Sequence, residues 1–110
     1  MKRKSHLTQA RDFQRVKNNN QTVYHRLLIL VYAQNELDIS RTAVVTSKKV
    51  GNAVTRNRVR RRIWAGLDEQ WITVKPGWDL IFYSRSSIAD ADYLEILNAV
   101  KHLLSKAGVI

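Results

Sequence analysis

The sequence predicts an α/β fold of the α+β type, a two-layer sandwich with helices packed on a sheet. Three observations carry that expectation. Apolar residues recur at helical spacing in three separate stretches, and runs rich in branched and aromatic residues lie between them. Helices interleaved with strands bury both apolar faces only by layering. The chain has 110 residues, 45% of them hydrophobic, which is enough for one domain that buries roughly two-thirds of its unfolded surface.

Residues 1–7 are expected to form a mobile basic tail, from Lys2, Arg3 and Lys4. Thr8 is positioned to cap a short helix to about Lys17, with Ala10, Phe13 and Val16 as its stripe. Asn18, Asn19 and Asn20 stop it, because asparagine tolerates the left-handed conformation. Tyr24 to Ala33 reads as a strand, Gln34 to Asp38 as a polar turn, and Arg41 to Ser47 as a second strand. The short connection predicts that these two strands pair antiparallel. A further short strand is expected near Asp38 and Ile39.

Gly51 and Asn52 open a long helix to about Glu69, with Val59, Ile63, Gly66 and Leu67 within about 100° of arc and facing the core. Pro76 and Gly77 mark a turn before a strand over Trp78 to Ser84. Asp90 or Asp92 then caps a last helix through Ser105, with Leu94, Leu97, Val100 and Leu104 inward and Gly108 near its end.

Charge is unevenly spread along this frame. The net charge is +10, yet fifteen Lys and Arg against three acids lie at or before Arg62, and four against six follow it. One cationic surface backed by a near-neutral scaffold is the implied arrangement. Cysteine is absent, which excludes disulfides, thiolate metal sites and cysteine nucleophiles. The basic start is followed by no apolar segment, and the longest apolar run, Leu27 to Ala33, is too short to span a bilayer. A soluble cytoplasmic protein with no membrane partner is therefore expected. His6, His25 and His102 share no metal-ligand spacing, and Asp12, Glu36 and Asp38 stand isolated, so no self-sufficient active site is visible.

The densest feature is the run Ser47 to Arg62, with seven cations in sixteen residues. Five of them, Arg56, Arg58, Arg60, Arg61 and Arg62, fall within seven positions of the long helix. Like charges one turn apart destabilise a helix, so an ordinary solvated face would not concentrate them. Arg58, Arg61 and Arg62 are expected on one side of the apolar stripe, Arg60 on the other, and Arg56 nearer the stripe itself, one turn inside the N-terminus, positioned to line a cleft beside the sheet. A rigid array of guanidinium forks suits polyphosphate, which makes nucleic acid the first candidate ligand. Lys48 and Lys49 sit at the strand–helix junction, where a phosphate or a hydrated metal ion beside one fits as well as plain solvent does. Spacing alone also leaves Phe13 between core filler and a stacking platform for an unpaired base.

The segment Ser47-Lys48-Lys49-Val50-Gly51-Asn52-Ala53-Val54-Thr55-Arg56-Asn57-Arg58-Val59-Arg60-Arg61 closely resembles the signature of the bacterial ribonuclease P protein subunit. Arg11-Asp12-Phe13-Gln14-Arg15-Val16, Arg41 and Ile81-Phe82-Tyr83-Ser84-Arg85 extend the likeness over nearly the whole chain. The resemblance implies a mixed four-stranded sheet, in the order α-β-β-β-α-β-α, with a left-handed crossover. It also implies a monomeric subunit, one copy per catalytic RNA, whose holoenzyme removes the 5′ leader of precursor tRNA. The chemistry would belong to the RNA and its Mg²⁺ ions.

Lys48, Arg56, Arg58, Arg60, Arg61 and Arg62 would then bind the RNA subunit. Phe13, Lys17, Ile29, Val31, Val45, Lys49, Arg56 and Asn57 would line the leader cleft between the first helix and the sheet, with phosphate-linked Mg²⁺ near Lys49 and Asn57. The chain departs from the family pattern at Lys17 and Val31, where aromatics are common, at Ala43 in place of glycine, and at Trp64-Ala65-Gly66. Two rival readings are a structured-RNA-binding protein of the ribosomal kind and a nuclease acting alone.

Overall fold

The computed structural model describes residues 1–110. Helix α1 (Ala10–Asn18) is followed by strands β1 (Gln21–Tyr24), β2 (Leu28–Gln34) and β3 (Arg41–Val45). Helix α2 (Ala53–Gln70), strand β4 (Trp78–Ser84) and helix α3 (Tyr93–Lys106) complete the chain. The four strands form one mixed sheet in the order β1-β2-β4-β3. β4 is antiparallel to β2 and parallel to β3, so β3-α2-β4 is a parallel crossover.

Two sequence expectations change here. β2 and β3 run antiparallel but are not neighbours, because β4 lies between them and hydrogen-bonds to both. The fourth strand is not near Asp38 but is β1, which pairs Gln21 with Tyr32 and Tyr24 with Ile29 in a hairpin with β2. The stretch expected as one strand from Tyr24 is thus broken at His25, Arg26 and Leu27.

Strand alternation divides the sheet into two apolar faces. Leu28, Leu30, Tyr32, Leu80 and Phe82 point to the main core, where α2 supplies Val59, Ile63 and Leu67 and α3 supplies Ile96, Ala99, Val100, Leu103 and Leu104. The α2 stripe matches expectation, including buried Gly66. The α3 stripe matches only in part: Val100 and Leu104 are buried as expected, but Leu94 is exposed and the buried set is rotated toward Ile96 and Leu103. Asp92 caps α3 in a reciprocal capping box with Glu95.

The opposite face carries a smaller core of Leu7, Val16, Ala33, Ala43 and Ile81, over which α1 lies. α1 begins at Ala10, with Gln9 rather than Thr8 at the cap position and no side-chain cap bond. Of its expected stripe only Val16 is buried. The N-terminal residues are also packed rather than trailing free. Leu7 donates its N–H to the Thr42 carbonyl at 2.8 Å, His6 bridges to Thr42, and the Met1 amino group meets Asp68 at 2.7 Å. Charge in this segment reads as solvated, but Ser5 and Leu7 are buried against the free edge of β3.

Candidate nucleic-acid interface

The arginine helix starts just after a glycine whose backbone conformation side-chain-bearing residues rarely adopt. Gly51 has φ +148°, and Asn52 then caps α2, its Oδ1 accepting from the Thr55 N–H at 2.9 Å. Packing of Val59, Ile63 and Leu67 against the core fixes the rotation of the helix and therefore the direction of every arginine.

Arg58 donates to the Ala89 carbonyl and Arg62 to the Ala91 carbonyl, each at 3.1 Å. These two are thus steadied on the segment before α3. Arg60 and Arg61 instead line a groove of about 510 Å³ with Asn57, Trp64, Ala65 and Asp68. Arg60 donates to Asn57 Oδ1 at 2.9 Å, and the His6 ring stacks on Trp64 at 4.6 Å. The expected side for Arg61 is therefore corrected: it groups with Arg60, not with Arg58 and Arg62. Arg56 is half-buried, with an Nε that has no hydrogen-bond partner. Lys48 and Lys49 occupy an exposed 3₁₀ turn over Lys48–Val50, directly before Gly51.

None of the five α2 guanidinium groups pairs with a carboxylate. The ion pairs lie elsewhere: Met1 with Asp68, Arg26 with Glu95, and Arg15 and Arg41 with both Asp12 and Asp79. Asp79 is fully buried and also accepts from Asn35 at 2.9 Å. Arg41 donates Nε and Nη2 to its two oxygens at 2.9 and 2.8 Å. That bond to Asp79 holds the Arg41 guanidinium above its ordinary value, with Asp12 adding to the effect. Asp12, expected to be isolated, is therefore part of a network that pins α1 to the sheet.

The second element of the site is the small apolar face beside α1. Phe13, Val31 and Val45 are half-buried against its cluster. Ile29 is half-buried too, opposite Tyr83. Lys17 is exposed on the last turn of α1. Asn57 lies in the α2 groove, so it is grouped with Arg60 and Arg61.

Sequence reasoning gave no role of its own to Tyr83, a partly buried member of this same face. Its signal was the alternation of Ile81 and Tyr83 with Leu80 and Phe82, hidden in a run of four consecutive buried residues. No group of three His, Asp or Glu side chains converges anywhere in the chain.

The family model for Ribonuclease P matches residues 1–108. The chain belongs to the ribonuclease P protein family. It is 41% identical over 103 residues to the ribonuclease P protein component of Clostridium botulinum (strain Loch Maree / Type A3), covering 90% of each chain. To that of Roseiflexus sp. (strain RS-1) it is 36% identical over 111 residues, covering 100% of this chain and 91% of the relative. The solved Staphylococcus aureus RNase P protein superposes with a TM-score of 0.88 at 30% identity, covering 96% of each chain. The Thermotoga maritima protein shares the fold, with a TM-score of 0.83 at 20% identity over 92% of this chain and 96% of that one. The chain is accordingly a subunit of the tRNA-processing endoribonuclease ribonuclease P, and its partner is the RNA of that enzyme.

Proposed function

We propose that the solvent face of α2 binds the RNA subunit while the cleft between α1 and the sheet holds the 5′ leader of precursor tRNA. The observation that carries this is the set of five α2 arginines without a carboxylate partner, whereas Arg15, Arg26 and Arg41 elsewhere in the chain each find an acid. Unneutralised guanidinium forks at fixed spacing are complementary to phosphate. In this scheme Arg58, Arg60, Arg61 and Arg62 face the RNA subunit. Lys48 and Arg56 continue that surface around the start of α2, and Lys49 and Asn57 lie where the two RNAs meet. Phe13, Lys17, Ile29, Val31 and Val45 hold the leader.

The protein's contribution is electrostatic. Two polyanions brought together repel, and cations held between them lower that repulsion and so strengthen the binding of substrate. Mg²⁺ serves the cleavage from sites on RNA phosphates, with this chain acting on it through those phosphates. One copy per RNA suffices, and the assembly works in the cytoplasm; no helix is long and apolar enough to cross a membrane.

Phe13→Ala tests the cleft assignment. In the reconstituted holoenzyme it is expected to weaken binding of leader-bearing tRNA by about 1–3 kcal/mol and to leave mature tRNA nearly unaffected. Equal losses for both would remove Phe13 from the leader's path.

A further inference from the structure

The strand register sets one row of side chains across all four strands: Tyr24 on β1, Ile29 on β2, Tyr83 on β4 and Val45 on β3. Partners in register share a face, and Tyr83 and Val45 place this row on the face that also carries Val31, Ala43 and Ile81. Leu7 and Val16 bury the neighbouring positions Ala33, Ala43 and Ile81. The next row is left open: Ile29, Tyr83 and Val45 are half-buried, and Tyr24 is 57% exposed.

We infer that Tyr83 and Tyr24 are stacking platforms for two bases of single-stranded RNA, an inference that rests on the leader-cleft reading above. Adjacent strands lie about 4.8 Å apart, so tyrosines on β4 and β1, with β2 between them, stand about 10 Å apart at the backbone. That separation leaves room for a nucleotide between them, over Ile29. Aromatic side chains displayed on a four-stranded sheet are a general means of holding two or three unpaired bases.

Charge selects the occupant. Lys48 and Lys49 follow β3 at one side of the row. At the other, Lys106 donates to the Tyr24 carbonyl and Arg85 to the His25 carbonyl, each at 3.4 Å. Apolar platforms between cations fit bases between phosphates, whereas a second copy of this +10 chain would bring like charges together. Burial also pushes the Tyr83 hydroxyl above its ordinary value of 10.0, as an apolar slot does. Because β3 leads into α2, where the RNA subunit binds, the strand meets Tyr83 before Tyr24.

The test uses the holoenzyme reconstituted with the RNA subunit and precursor tRNAs whose leaders lengthen one nucleotide at a time. Tyr83→Ala and Tyr83→Leu are expected to weaken leader-bearing tRNA roughly five- to hundredfold relative to mature tRNA. Tyr83→Leu keeps the packing but lacks the flat ring, which separates stacking from folding. Tyr24→Ala is expected to act only on leaders long enough to reach the outer strand, and Tyr→Phe at either position restores affinity. Wild-type affinity in all three truncations overturns the inference alone, as does a dimer that Tyr24→Ala dissolves without affecting leader binding. A wild-type holoenzyme that fails to distinguish leader-bearing from mature tRNA overturns the parent reading as well.

Discussion

Replacing Arg60 and Arg61 by alanine removes two guanidinium groups that have no carboxylate partner, and the only fixed bond lost is that from Arg60 to Asn57. Each phosphate neutralised contributes about 0.7–0.9 to the slope of log K against log salt. Losing two should flatten that slope by about 1.4–1.8. Raising salt from about 50 to about 200 mM would then shrink the variant's affinity deficit for the RNA subunit roughly tenfold. Fold stability should hold or rise, since the like-charge pair Arg56 and Arg60 one turn apart is relieved.

Arg58→Ala is the contrast. It also breaks the bond to the Ala89 carbonyl and so should cost about 1 kcal/mol of stability in addition to affinity. Titrations of the RNA subunit at several salt concentrations, with thermal melts of the free protein, read both quantities. An unchanged salt slope in the Arg60/Arg61 variant, or a clear loss of melting temperature, would refute the claim that these two side chains exist for phosphate.

Asp79→Asn should destabilise the fold by about 3 kcal/mol in urea denaturation, because it leaves Arg15 and Arg41 without their fully buried counter-ion. His25 is held below its ordinary 6.5 by burial and then by His102, Arg26 and Lys106. The unfolded chain therefore binds this proton more readily, so stability is complete above pH 6.5 and declines as pH falls below it. His25→Asn keeps an acceptor for the Leu27 N–H and should flatten the acid limb of a stability–pH profile. Gly51→Ala should lower stability by about 1–3 kcal/mol, since φ is +148° and a Cβ would meet Thr55 at 3.2 Å. Gly66→Ala should instead raise it by about 0.5–1 kcal/mol, because the added carbon finds Leu97 and Val100 at an ordinary 3.5 Å; thermal melts compare the two.

The features legible in the sequence were those set by neighbours along the chain. Asn52 caps α2 and Val59, Ile63, Gly66 and Leu67 bury its stripe, all within one helix. The arginine array followed in part, because the stripe fixes the face opposite it, but Arg61 was placed with Arg58 and Arg62 and lies with Arg60. β1 escaped notice as a four-residue edge strand with no buried residue. The insertion of β4 between β2 and β3 could not be read locally, since a short β2–β3 connection fits a hairpin equally well. Leu94 was misplaced because α3 has apolar residues on a wide arc and the sheet selects which of them are buried. The network on Asp79 joins residues 64 and 38 positions away, and the docking of Leu7 on Thr42 is equally long in range. The face proposed for the leader lay between these cases: Phe13, Val31 and Val45 were assigned through the family likeness, while Tyr83 needed the register.

The most direct measurement is leader removal by the RNA subunit at low Mg²⁺, with and without this chain. The expected result is strong stimulation by the protein that fades as Mg²⁺ rises, with no cleavage by the protein alone. Equal rates with and without the protein, or processing by the protein in the absence of RNA, would contradict the account.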